Sequence, residues 1–175
     1  MSEVLDWDHP VADVPEDGLS IERAATDKER EEISRTLDLV ACPSFVARYR
    51  IKPRSNGNYH LEGSLEATVE QTCVVTLEPL TNKVAQTYAV DFWPESEVPE
   101  PSGGLVDVHD EPDMEPIVGG RIEAGRIIFE CLASSIDLFP RKPGATFETP
   151  PEGAQNAGPK PEGPFAALAK MRPKQ

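Results

Sequence analysis

Three stretches in which apolar and polar side chains alternate constrain the fold of this chain more than any other feature. They lie at residues 45–52, 59–69 and 84–92. Alternation with a period of two is typical of a β-strand that buries one face and exposes the other. In the third stretch the apolar positions are Val84, Tyr88, Val90 and Phe92. Because the stretches are joined by short turns, the sequence predicts an antiparallel sheet with one apolar and one polar face.

The loop between the first two strands should be longer than its Asn56-Gly57 turn signal suggests. Residues that face each other across a strand pair must lie on the same side of the sheet. A two-residue loop would put Lys52 opposite Leu61, whereas a three- or five-residue loop, or a bulge, restores the match. The five-residue loop would set two ion pairs directly opposite each other: Lys52 with Glu62 and Arg48 with Glu66. A second turn is predicted over residues 78–82.

Two segments carry helical signals. Thr26 and Glu29 have the spacing of a capping box, in which each side chain binds a free backbone N–H at the start of a helix. This pattern predicts a helix from about Asp27 to Leu39. Apolar residues spaced three and four apart predict a second helix from about Glu123 to Leu138, with Gly125 weakening its first turn.

The length of 175 residues fits one domain with appendages. We predict an α+β domain at residues 21–139, built as a small antiparallel sheet of about four or five strands with two helices packed on one face. Short strands can begin at Leu19 and within residues 117–122. The appendages are a flexible acidic N-terminus at 1–20, a mobile acidic loop at 94–116 and an extended Pro/Gly-rich tail at 140–175. The tail ends in a short apolar and basic motif, which is either a peptide-recognition segment or a turn that packs on its own domain.

The chain lacks the usual sequence signals for a membrane span, secretion or a disulfide framework. No apolar stretch reaches the ~18 residues of a transmembrane helix, and the first residues do not resemble a secretory signal. Cys42, Cys73 and Cys131 are too widely spaced for a disulfide framework or a local metal knuckle. We therefore expect a cytoplasmic location, no membrane partner and no metal.

The charge is unevenly distributed along the chain. The formal net charge is −14, and residues 94–116 contain no Lys or Arg. This balance argues against a DNA-binding protein. Four bases nevertheless alternate along one strand, over about 20 Å: Arg48, Arg50, Lys52 and Arg54. Arg141 and Lys142 can add to this row. This basic row either follows a phosphate backbone or is a solvated sheet face that Glu62 and Glu66 neutralise.

The chain lacks sequence signatures of catalysis. There is no phosphate-binding glycine loop and no Gly-x-Ser-x-Gly elbow. Cys73 and His60 could form a dyad, because both belong to the same predicted hairpin. We expect a binding protein without a cofactor rather than an enzyme, with a metal-binding or hydrolytic domain that uses Cys73 as the alternative.

Two short runs carry a family resemblance: QTCVVTLEPL at residues 71–80 and LFPRKPGA at residues 138–145. They resemble the alphaproteobacterial branch of the YceD family, whose members are associated with accumulation of the large-subunit ribosomal RNA. The motif positions are Cys73, Thr76, Pro79, Pro140, Pro143 and Gly144. Many members have Cys-x-x-Cys where this chain has Cys73 and Thr76, so one ligand of any metal site that the resemblance would imply is missing.

The resemblance, which covers about residue 70 to the C-terminus, implies a non-catalytic factor in ribosome biogenesis that supports 23S rRNA accumulation. Its partner could be the large-subunit rRNA, bound through the basic row. It could also be a basic ribosomal protein or assembly factor, bound through the acidic segments, which suits the charge balance better. We favour the protein partner.

Overall fold

The computed structural model describes residues 4–97 and 114–146. These residues form seven strands and two α-helices, with short 3-10 turns at Val11–Asp13, Ser55–Gly57 and Glu95–Glu97. In chain order the elements are β1 His9–Pro10, β2 Leu19–Ala24, α1 Asp27–Thr36, β3 Ala41–Pro53, β4 Tyr59–Thr72, β5 Pro79–Pro94, β6 Met114–Ile117, β7 Arg121–Ile122 and α2 Ala124–Ser135.

Five strands form the main sheet in the order β2-β3-β4-β5-β6, and β1 pairs with β7 in a separate two-stranded sheet. Neighbours from β2 to β5 are antiparallel, as predicted. The edge strand β6 is parallel to β5, with Asp91 opposite Met114, so the prediction of a purely antiparallel sheet is wrong at this edge. Roughly twenty residues separate β5 from β6, which is long enough for the crossover that parallel neighbours need.

Both helices cover the same face of the main sheet, and this confirms the predicted α+β architecture. One continuous core contains Ile33 of α1, Ile128 and Leu132 of α2, and the alternate residues of the central strands. Large side chains of these strands that are completely or almost completely buried include Phe45, Ile51, Leu61, Leu65 and Phe92. Among residues 4–97 and 114–146, no helix is both long and apolar enough to cross a lipid bilayer.

The β3–β4 hairpin confirms the prediction of a longer loop but not the five-residue register. The Arg54 N–H donates to the Asn58 carbonyl oxygen at 2.7 Å, which closes a three-residue loop with Asn56 at a φ of 62°. Lys52 therefore lies opposite His60, and Arg48 lies opposite Ser64. The two predicted ion pairs still form, on the diagonal: Arg48 with Glu66 at 3.3 Å, and Lys52 with Glu62.

The second turn occupies residues 73–78, earlier than the predicted 78–82. The Cys73 N–H donates to the Glu78 carbonyl oxygen, and the Leu77 N–H donates to the Cys73 carbonyl oxygen, both at 2.9 Å. Pro79 already begins β5, opposite Thr72. A proline without an N–H is tolerated at the first residue of a strand.

The capping box predicted for α1 is confirmed, but both helices end earlier than predicted. The capping box of α1 is present, since the Thr26 side chain accepts from the Glu29 N–H and the Glu29 side chain accepts from the Thr26 N–H. Helix α1 ends at Thr36 because Asp38 adopts a φ of 52°, outside the helical range. Helix α2 ends at Ser135, and Ile136 is extended.

The N-terminal segment differs most from prediction. Residues 1–20 were expected to be flexible, but Leu5 is 1% exposed and Trp7 is 0% exposed. The Trp7 indole N–H donates to Glu29 at 2.7 Å, and the ring packs near Phe45. A Cβ atom on Gly125 would lie 2.2 Å from the Leu5 carbonyl oxygen, so glycine in the first turn of α2 makes room for this segment to cross the helix.

The acidic loop and the C-terminal tail lie largely outside the described residues. Residues 98–113 of the acidic loop and 147–175 of the tail, including the terminal motif, belong to that part. Residues 114–116, which were predicted to be loop, begin β6. Glu115 of this strand pairs with Arg126 of α2 at 2.7 Å.

The crossing at Gly125 predicts that Gly125→Ala destabilises the protein. Helix propensity alone would favour alanine by about 1 kcal/mol, whereas a methyl group forced against backbone costs about 1–3 kcal/mol through strain. We expect the clash to dominate and to lower the melting temperature by several degrees in a thermal unfolding experiment. A higher melting temperature for Gly125→Ala would show that the N-terminal segment does not cross α2 in solution.

Candidate functional site

The predicted basic row lies on the outer face of the sheet, opposite the helices. Arg48, Arg50 and Lys52 occupy alternate positions of β3, between buried residues that point into the core. Arg54 lies just beyond the strand and is exposed. The structure therefore places the four bases on one side of the molecule, as the alternation suggested.

Acidic groups on the neighbouring strands surround this row. Arg48 pairs with Glu22 of β2 at 3.2 Å and with Glu66 of β4 at 3.3 Å. The hydrogen bond and the charge of Glu22 raise the pKa of Arg48 above its usual value. Lys52 pairs with Glu62 and holds the pKa of that carboxyl below its usual range. A phosphate backbone would have to compete with these carboxylates for the same cations.

Two of the other predicted bases, Arg50 and Lys142, also have polar partners. The Arg50 guanidinium donates to the Asp17 carbonyl oxygen at 2.8 Å. Lys142 pairs with Glu78 at 2.7 Å, on the turn between β4 and β5. Arg141 is exposed beside Lys142. The two bases of the second family run thus lie beside the Cys73 turn, and the structure joins them to that turn rather than to the row on β3.

The two runs that carry the family resemblance meet around Cys73. Its sulfur accepts the Thr76 N–H at 3.4 Å and the Lys142 N–H at 3.3 Å. The Val74 N–H donates to the Pro140 carbonyl oxygen at 2.9 Å. Pro143 and Gly144 follow in a turn in which Gly144 has a φ of 79°, a conformation that glycine adopts without steric cost. Residues 140–142, predicted as the start of the tail, are therefore held against the β4–β5 turn.

The Cys73 sulfur is completely buried, yet its surroundings favour the thiolate. The Thr76 side chain, the Thr76 N–H and the Lys142 N–H lower the pKa of Cys73 to about 6. Hydrogen bonds to a charged form stabilise it and shift its pKa toward ionisation. The turn thus supplies the donors that an isolated buried thiolate would lack.

The structure does not bring Cys73 together with the other candidate chemical groups. His60 lies near one end of β4 and Cys73 follows the other end, about 40 Å apart along an extended strand. The proposed Cys73–His60 dyad is therefore wrong. His60 instead contacts the Asp91 carboxylate at 2.6 Å. Within residues 4–97 and 114–146, no three His, Cys, Asp or Glu side chains are grouped so that they could hold a metal ion.

A cleft beside the Cys73 turn was not predicted from the sequence. It has a volume of about 550 Å³ and is lined by the segments that follow α1 and α2 and by the end of β4. Leu39 and Leu138 lie on its wall, although the apolar periodicity had assigned both to helices. The sequence signal for this cleft was the pair of apolar residues beyond the two helix ends. Such residues do not pack as part of the helix, so they must contact something else or remain exposed.

The Gln71 side chain connects the cleft to the first family run. Gln71 is 7% exposed, donates to the Asp137 carbonyl oxygen at 2.8 Å and accepts from Asn82 at 3.0 Å. Gln71, Thr72 and Val74 line one side of the cleft, and Leu138 and Pro140 line the other. Residues from both runs therefore form its walls.

Comparison with known proteins identifies one family model. A model described as "Large ribosomal RNA subunit accumulation protein YceD" matches residues 61–172, more than half of the chain. The match includes both runs around Cys73 and most of the cleft residues. No curated protein matches the chain, and no solved structure matches it.

The thiolate environment of Cys73 is directly testable. A Cys42→Ala/Cys131→Ala variant, in which Cys73 is the remaining thiol, should show a thiolate absorbance transition with a midpoint near pH 6. A Thr76→Val variant in the same background should titrate at a higher pH, because it removes the donor with the largest effect. A midpoint of about pH 8.5 or above, the ordinary range of a cysteine thiol, would contradict the geometry.

The same shift predicts a pH-dependent effect on stability. The folded-state pKa lies below that of a thiol in the unfolded chain, so ionised Cys73 stabilises the fold above the unfolded pKa. This stabilisation is lost as the pH falls through about 6. Cys73→Ala should therefore lower the melting temperature more at about pH 9 than at about pH 5. Equal losses at both pH values would argue that Cys73 is a neutral packing residue.

Proposed function

The chain belongs to the YceD family of large ribosomal RNA subunit accumulation proteins, and we propose that it acts as a non-catalytic ribosome-biogenesis factor that binds a basic protein partner. The family membership supports a role in ribosome biogenesis. The partner is a ribosomal protein or assembly factor of the large subunit, and the binding supports accumulation of the large-subunit rRNA. The role implies a cytoplasmic location.

The observation that carries the choice of partner is the pairing of the basic row. Of the four bases that could follow a phosphate backbone, Arg48 and Lys52 are held by carboxylates of β2 and β4. Direct contact with RNA requires cationic side chains that are available to neutralise phosphates and so release the counterions condensed on the nucleic acid. With a net charge of −14, the long-range field of the chain attracts basic surfaces and repels nucleic acid.

The proposal of a non-catalytic role rests on how the reactive groups are used. His9 bonds to the Tyr49 hydroxyl at 2.9 Å, and His60 contacts Asp91 at 2.6 Å. The Cys73 sulfur accepts the Thr76 N–H of its own turn and the Lys142 N–H of the adjacent segment. Each of these groups stabilises a local contact, which supports a binding function rather than nucleophilic or acid-base catalysis.

A pull-down with the full tagged chain, with and without ribonuclease, tests the proposed function. We expect a basic ribosomal protein or assembly factor to remain bound after ribonuclease treatment. Recovery of large-subunit rRNA alone, and only from untreated lysate, would favour direct RNA contact through the basic row. Absence of every ribosomal component from both samples would overturn the proposal.

Charge variants locate the contact. Neutralising the acids of residues 98–113 should reduce the retained partner and weaken the salt dependence of binding, whereas Arg48→Ala/Arg50→Ala/Lys52→Ala should leave retention unchanged. Glu115 is kept because it pairs with Arg126. The variant carries Glu100→Gln, Asp107→Asn, Asp110→Asn, Glu111→Gln and Asp113→Asn.

A matched control removes the same number of exposed acids from other positions. It carries Asp6→Asn, Asp13→Asn, Glu16→Gln, Asp17→Asn and Glu31→Gln, none of which lines the cleft beside the Cys73 turn. Equal losses in the two variants would mean that total charge, rather than the acidic loop, governs binding. A loss confined to the triple basic-row variant would assign the contact to RNA or to an acidic partner.

A further inference from the structure

Exposed apolar side chains concentrate at one end of the sheet. Within the described part of the chain, six large hydrophobic residues are exposed. Three of these line the cleft beside the Cys73 turn: Val40, Val74 and Leu138. Two more, Leu77 and Phe139, belong to the same turn and the same segment. Leu138 and Phe139 are 78% and 69% exposed. Grouped apolar exposure of this kind marks interaction sites, whereas scattered exposure does not.

The charge of the cleft selects the chemistry of its ligand. Asp38 and Asp137 lie on its wall, and no Lys or Arg of residues 4–97 and 114–146 lines it. Both α-helices also end there, since Leu37 and Ile136, the residues that follow their last turns, line the cleft. The C-terminus of a helix carries partial negative charge from its free carbonyl groups and favours cations. The cleft therefore combines exposed apolar side chains with carboxylates and the negative ends of two helices.

The cleft is also held in shape by buried contacts. The Gln71 amide fixes the Asp137 carbonyl oxygen at 2.8 Å, and the Val74 N–H fixes the Pro140 carbonyl oxygen at 2.9 Å. The Lys142 N–H bonds to the Cys73 sulfur. A wall fixed by such contacts lowers the ordering cost of binding. Its volume of about 550 Å³ is enough for one or two large side chains.

We propose that this cleft is the docking site for a segment of the basic protein partner, in which one or two large apolar side chains are flanked by Lys or Arg. The apolar side chains fill the space between Val40, Val74 and Leu138, and the flanking cations lie against Asp38, Asp137 and the helix ends. The proposal rests on the proposed function, because it names the surface through which that partner is recognised.

The test uses the full tagged chain with two substitutions that leave the core intact. Leu138→Asp puts a charge among the apolar side chains of the cleft, at a largely exposed position. Asp38→Asn removes a rim charge, and asparagine tolerates the left-handed backbone at this position, where φ is 52°. We expect Leu138→Asp to weaken retention of the partner by about tenfold or more after ribonuclease treatment. Asp38→Asn should have a smaller effect that disappears at high salt.

Val118→Asp is the matched control, because Val118 is the sixth exposed apolar residue and lies beside β7, outside the cleft. It should retain the partner like the unmodified chain. Thermal unfolding must show the same melting temperature for Leu138→Asp and Val118→Asp, so that a loss of binding reports the surface and not the fold.

A photoreactive phenylalanine analogue in place of Phe139 identifies the occupant. Cross-links should map by mass spectrometry to a Lys/Arg-flanked apolar segment of a ribosomal protein or assembly factor, and Leu138→Asp should abolish them. Cross-links to RNA, to a second copy of this chain or to the same chain would overturn the proposal.

The two proposals fail in different ways. If Leu138→Asp and Val118→Asp retain a ribosomal partner equally, the cleft proposal is wrong and the proposed function stands. If the unmodified chain retains no ribosomal component, both are wrong.

Discussion

The burial of one face of strands β3, β4 and β5 is the constraint on which the rest of the structure depends. Side chains alternate between core and solvent along these strands, so a register shift of one residue would turn every apolar side chain outward. The hairpin loop of three residues preserves this alignment. Crowding within the face is relieved at Gly63, where a Cβ atom would lie 2.7 Å from the Tyr49 Cβ and 2.8 Å from the Tyr88 hydroxyl. Two tyrosines can therefore lie side by side over one glycine.

The outer face and the end of the same sheet have opposite characters. On the outer face, each strand contributes charges that the next strand balances, as Glu22, Arg48 and Glu66 do across three strands. Such a face is well hydrated and presents little net charge. At the end of the sheet, no base from the described part of the chain lines the cleft beside its two acids, and apolar side chains remain in water. Unbalanced charge beside exposed apolar surface distinguishes an interaction site from an ordinary solvated face.

Local patterns in the sequence predicted the elements that depend on local physics. The alternating strands and the capping box at Thr26 follow from periods and spacings of a few residues, and they are present. The failures involve distant partners. The burial of Trp7 involves Glu29 and Phe45, and the surroundings of the Cys73 sulfur include Lys142, 69 residues away. The basic row could be predicted from the sequence because its residues alternate along one strand. The cleft could not, because its lining comes from three separate segments that share no periodic pattern.

The crossing of the N-terminal segment over Gly125 has a consequence for synthesis of the chain. Leu5 and Trp7 are synthesised before the strands and helices of the core, but α2, which lies against their backbone at Gly125, is complete only after Ser135 has been made. Contacts between such distant residues form late, because the long intervening loop must first be closed. Trp7 can meet Glu29 and Phe45 much earlier, whereas the close fit of this segment on α2 forms only after nearly the whole domain has emerged.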